Sequence, residues 1–166
     1  MVSVKKITIG GLVGTLLLAG VLYFFERQER KIQKRFDQLS KWASKDVEEN
    51  NLTAARKING IGSLCAENCH IKAHIHSLSG NYTPEEISSL AAHARSRFSQ
   101  LSLAFHDLHI AIPEKETAKV NLTARLSGTL AGGESADDTL ELVCRLKKLE
   151  GTWLFTAFEV VEILEK

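Results

Sequence analysis

Glu159 stands inside an apolar run from Ala157 to Val161. A carboxyl buried there would have a raised pKa and would suit general acid or base work. The alternative is that the other face of the segment is the buried one, which leaves Glu159 in solvent. His106 and Asp107 adjoin, as an imidazole base and its orienting carboxylate would, although neighbours along a strand point to opposite faces. These three residues are the catalytic candidates. His70, Lys72, His74 and His76 alternate with Ile71, Ala73 and Ile75. Neighbouring imidazoles can hold a metal, but Lys72 among them repels a cation, so this row is read as solvent-facing. Cys65 and Cys69 in "CAENC" can be bridged or reduced. Their spacing fits neither a CxxC redox pair nor a zinc knuckle, and Cys144 stands alone. No metal and no cofactor are expected.

The elements that would position these residues follow from periodicity. Ile32, Phe36, Leu39, Ala43 and Val47 repeat at helical spacing from Glu26 onward. "ENNLTAARKINGIG" predicts a shorter helix with Asn51 as N-cap and Gly60 as its stop. "CHIKAHIHS" alternates as a half-buried strand. Thr83, Pro84 and Glu86 form a capping box with proline at the first helical position, and Ile87, Leu90, Ala91, Ala94 and Phe98 make the buried stripe that follows. Leu101, Leu103 and Phe105 alternate in one parity and Leu108, Ile110 and Ile112 in the other, which predicts a β-bulge at His106–Asp107. Further strands are expected around 120–126, 140–146 and 153–164.

This succession resembles the nuclear transport factor two-like family, also called the SnoaL-like or cystatin-related cone fold. The resemblance covers about 29–165 and rests on the element order, the bulged strand and the terminal "EGTWLFTAFEVVEIL". It implies an α+β domain of three helices packed on a curved, mainly antiparallel sheet. It also implies that any enzyme would keep its acid or base on an inward strand row. Those rows read Val120, Leu122, Ala124, Leu126 and Leu140, Leu142, Cys144, Leu146, with no acid or base. Leu122, Leu126, Leu142, Cys144 and Phe155 are the candidate lining of a ligand site. The family holds enzymes, ligand binders and interaction modules, and fold alone does not choose among them.

"ITIGGLVGTLLLAGVLYFF", residues 7–25, carries no charge. At ~1.5 Å per residue it spans about 28 Å, near the ~30 Å hydrocarbon core of a bilayer. Bulky residues after Gly20 argue against a cleaved signal peptide. The expected organisation is a cytoplasmic leader (1–6), a transmembrane signal anchor (7–25) and the α+β domain (26–166). Lys5 and Lys6 favour a cytoplasmic N-terminus, whereas Arg27, Arg30, Lys31, Lys34 and Arg35 favour the reverse. We take the first, because a domain after the first span commonly crosses whatever its charge. The domain is then periplasmic at the inner membrane. Gly10 and Gly14 form a GxxxG pair that can bring two spans together. The chain has 44% hydrophobic and 25% charged residues, as globular domains do. Of its 21 Lys and Arg only Lys5 and Lys6 precede the apolar stretch, so the remainder carries one more acid than base. That balance speaks against nucleic acid as a partner.

The expected function is a membrane-anchored, non-enzymatic binding or assembly module. Its partners would be the lipid bilayer through 7–25, a second copy through the sheet or Gly10/Gly14, and a protein in a membrane complex. The plan is similar in architecture to the bitopic assembly subunit of type IV secretion channels. The alternative is a small-molecule lyase or isomerase.

Overall fold

The computed structural model of the chain describes residues 3–73 and 78–164, with backbone alone at 3–19, 21 and 162–164. The chain forms two compact units, 1–33 and 34–166. The first unit is helical. Its helix α1 (Ser3–Ala43) contains no proline and carries an exposed Glu26–Arg30 ion pair one turn apart at 3.3 Å. Leu22 and Tyr23, each 63% exposed, and Phe24 and Phe25 present apolar surface to solvent. The side chains at 7–19 and 21, Gly10 and Gly14 among them, lie outside the described residues. Among the described residues no helix is long and apolar enough to cross a membrane.

The second unit contains the end of α1, then α2 (Asn51–Ser63), β1 (Cys65–Ala73), β2 (Leu78–Tyr82), α3 (Pro84–Ser96), β3 (Phe98–Glu114), β4 (Thr117–Leu130), β5 (Ser135–Leu149) and β6 (Thr152–Leu164). The six strands form one sheet in the order β2-β1-β6-β5-β4-β3, antiparallel except where β1 runs parallel to β6. It is an α+β architecture, helices on a mixed sheet.

Local chemistry explains most boundaries. Thr83 Oγ1 accepts from the Glu86 amide (3.3 Å) and Glu86 Oε2 accepts from the Thr83 amide (2.8 Å), so the reciprocal cap starts α3 as the sequence predicts. Register slips between His106 and His109 in β3, and Asp107 sits at φ 53°, so the bulge is where the parity change puts it. Gly133 and Gly151, at φ 93° and 81°, occupy the turns into β5 and β6.

Other boundaries differ from the sequence reading. α1 ends at Ala43, so Val47 falls outside the helix and is 71% exposed, although Ile32 and Phe36 of the same stripe are buried. The N-cap of α2 is Asn50, whose Oδ1 accepts from the Thr53 amide at 2.8 Å, not Asn51. Gly60 does not stop α2. A Cβ there would lie 2.7 Å from the Trp42 ring, so the glycine serves a close approach of α2 to α1. The strand expected over "CHIKAHIHS" begins earlier, at Cys65, and Leu78–Tyr82 returns beside it as β2. That hairpin has no counterpart in the sequence reading.

Candidate functional site

The inward face of the sheet is built on β4 and β5, which pair without a register break from Thr117↔Lys147 to Thr129↔Ser135. Strict alternation therefore puts Val120 opposite Cys144, Leu122 opposite Leu142 and Ala124 opposite Leu140 on one face. Val120, Leu122, Ala124, Cys144 and Leu146 are buried, and Leu126, Leu140 and Leu142 half-buried. Aromatic rings pack over part of this face. Phe36 of α1 meets Phe105 edge-on at 5.4 Å and Phe155 at 5.0 Å, and Phe155 lies 4.9 Å from Phe158. All five candidate lining residues, Leu122, Leu126, Leu142, Cys144 and Phe155, share this interior. Its chemistry is dispersion and water exclusion.

At the open end of the rows the lining changes. Leu126 pairs with Asp138, so this exposed acid continues the inward row of β5 two residues before Leu140. The sequence reading ended that row at Leu140 and missed it; the signal was the unbroken period of two through Asp138, Leu140 and Leu142.

The catalytic candidates lie elsewhere. Phe105 points inward to Phe36, so its neighbour His106, paired with Thr123, is on the outer face and exposed. Asp107 occupies the bulge and is exposed. Glu159 pairs across the sheet with Val143 on the outer face, and its Oε1 lies 2.7 Å from Lys72 Nζ. The structure thus separates His106 and Asp107 from Glu159 and from the interior. His70 is exposed, with Nδ1 2.9 Å from Asn81 Oδ1; His74 and His76 lie outside the described residues. Among the described residues no group of three His, Cys, Asp or Glu is placed to hold a metal ion.

Two polar groupings complete the second unit, the first not anticipated and the second resolving Cys65 and Cys69 as unbridged. The first closes the C-terminal end of α1. Arg95 of α3 is 4% exposed, and its guanidinium donates to the carbonyls of Trp42, Ala43 and Ser44 at 2.6–2.7 Å and to Glu49 Oε2. Those carbonyls are the ones a helix end leaves without amide partners. Lys57 Nζ lies 2.6 Å from Glu49 Oε1 and donates to the Ser44 carbonyl at 3.0 Å. Burial alone would raise the Glu49 carboxyl, but the hydrogen bonds and charges of Lys57 and Arg95 outweigh it and hold it below the ordinary carboxylate value. The grouping holds α1, α2 and α3 together and leaves no acid free to move a proton.

The second is a set of buried, reduced thiols, Cys65, Cys69 and Cys144. The hydrogen bond to Cys69, then burial, pushes the Cys65 thiol up; the same bond lowers Cys69; burial raises Cys144.

LinA-type3, a hexachlorocyclohexane dehydrochlorinase from Novosphingobium barchaimii LL02, superposes with a TM-score of 0.65 at 12% identity, over 83% of this chain and 89% of its own. A protein named as a scytalone dehydratase from Novosphingobium aromaticivorans DSM 12444 gives 0.61 at 14% identity, over 87% and 86%. A protein named as a calcium/calmodulin dependent protein kinase II association domain, from Xanthomonas campestris, gives 0.57 at 10% identity, over 78% and 80%. The chain has the cone fold of the nuclear transport factor two-like proteins. No family model matches it, and no curated protein matches it in sequence. The cone is shared by proteins named for elimination chemistry and by one named for assembly, so fold leaves the activity open and the lining must decide.

Proposed function

We propose that this chain is a membrane-anchored module that binds a partner or an apolar ligand through its cone and carries out no reaction there. The observation that carries this reading is the apolar inward row of β4 and β5, buried at Val120, Cys144 and Leu122 and half-buried at Leu142. A surface of that kind holds an apolar group by excluding water, and it offers no donor for a developing charge. The half-buried Leu126, Leu140 and Leu142 mark where such a group would enter. The test is binding of an apolar fluorescent probe to the full chain in detergent, with Leu142→Glu as the variant. Saturable binding lost in the variant supports the reading. Binding unchanged by Leu142→Glu places the apolar site elsewhere and defeats it.

The anchor rests on the uncharged stretch 7–25. The full chain should stay with membranes through a high-salt wash, and an alkaline phosphatase fusion at Lys166 should be active, as a periplasmic domain at the inner membrane requires. A second copy of the chain is the partner we favour for the sheet. Val161, 61% exposed, and Leu149, 39% exposed, leave apolar surface that a second sheet would cover. Gly10 and Gly14 are the corresponding contact within the bilayer.

A second reading, a small-molecule lyase or isomerase, draws support from Asp138 at the mouth of the inward row and from the two neighbours named for elimination reactions. Turnover of a halogenated or hydroxylated cyclic substrate, abolished by Asp138→Asn, would establish it over the first.

A further inference from the structure

We propose that Cys65 and Cys69 form a redox-active dithiol, which a disulfide oxidant closes into an intramolecular disulfide across an excursion in β1. The register of β1 against β6 supplies the geometry. Cys65 pairs with Phe155 and His70 with Ala157, so β1 uses five residues where β6 advances by two. Two residues of strand cover about 7 Å. The chain between must therefore leave the sheet and return, and it does so with Glu67 and Asn68 exposed at the tip. Cys65 and Cys69 are the two ends of this excursion, brought side by side where an ordinary strand would hold them far apart. Both are buried, at 5% and 0% exposure.

The thiols already interact. Cys65 Sγ donates to the Ile61 carbonyl oxygen at 3.8 Å, and the register slip of β1 returns Cys69 beside it. Cys65 Sγ has one proton, which goes to Cys69 when that sulfur is ionised. Cys69 is accordingly the more acidic of the pair and the attacking thiolate. Its attack on one sulfur of the oxidant expels a thiolate and leaves a mixed disulfide. Cys65 then loses its proton and attacks the Cys69 sulfur, expelling the second thiolate. Two electrons pass from the protein to the oxidant, and the two protein protons end on the two released thiols. Local unfolding of this exposed tip is the route by which a small disulfide reaches the buried pair.

Cys144 cannot take the place of Cys65. It belongs to β5, and β6 lies between β5 and β1. Two interstrand steps of about 4.8 Å exceed the ~7 Å limit between Cα atoms in a disulfide. Cys144 stays reduced.

The test uses the full chain in detergent, treated with reduced dithiothreitol or with excess oxidised glutathione, desalted, then unfolded and alkylated with a mass-tagged maleimide. Tags should fall from three to one. The tryptic segment 58–72 holds both cysteines, and after cleavage behind Glu67 its halves should remain joined until reduced. A Cys144→Ala chain should fall from two tags to none. Full tagging after oxidation, a bridge that includes Cys144, or a bridge between two chains overturns the proposal. The mapping on the unaltered chain decides the matter even if a variant fails to fold.

Discussion

Under β4 and β5 the second unit is filled with hydrocarbon, on rows that keep register over their whole length. At the end of α1 it is filled with charge, where Arg95, Glu49 and Lys57 leave water together. Each residue in the first region contributes by area and volume, so losing one leaves no partner charged and unpaired. In the second each group is tolerable only because the others are present. One region should therefore degrade gradually and the other fail when any single partner goes.

The sharpest break is Arg95→Ala. It leaves the buried Glu49 carboxylate with Lys57 alone and takes the guanidinium from the Trp42 and Ala43 carbonyls, and should destabilise the full chain by about 3–5 kcal/mol in urea unfolding. Replacing Arg95, Glu49 and Lys57 together by apolar residues of similar size should recover most of that loss; failure to recover would mean the charges are not acting as one unit. Leu122→Ala in the apolar region should cost about 2–5 kcal/mol, whereas Leu122→Met should cost less than about 1.5 kcal/mol. Acid separates the regions further. The Glu49 carboxyl is held below its unfolded value, so its contribution is complete above about pH 4.3 and is lost as pH falls through the folded pKa. Glu49→Gln should flatten the acid limb of the stability profile, and Leu122→Ala should leave its shape unchanged. Outside both regions effects shrink: Thr83→Ala should cost about 1 kcal/mol through its cap, and Lys72→Ala, whose ion pair with Glu159 is part-exposed, about 0–1 kcal/mol.

The same contrast explains what the sequence discloses. The apolar rows, the capping box at Thr83 and the bulge at His106–Asp107 are local patterns with fixed periods, and all three stand where the residues put them. Arg95 carries no such mark. On a helical wheel it is one more charge near the end of α3, and its partners, residues 42–49, are distant in sequence. β1 was obscured for a different reason. Glu67 and Asn68 interrupt its alternation, so the strand shows its period only from Cys69 onward. Glu159 was ambiguous because β6 slips register against β5 twice, which lets apolar residues face both ways. Asp138 was readable from parity alone and lay just beyond the last leucine of its row.

β3 lies at one edge of the sheet, with β4 on one side, and on the other Lys45 bridges Leu101 and Ser40 and Ser44 bond Leu103. The stretch of that edge beyond Leu103 would ordinarily invite a foreign strand to add on. Its pairing with β4 slips three times, at Phe98/Gln100, His106/His109 and Ala111/Glu114. Each slip twists the rim and throws the free amides and carbonyls out of line. The irregularity that marks His106 and Asp107 therefore has a second consequence: the rim is a poor template for fibrils, and straightening it should make the chain prone to them.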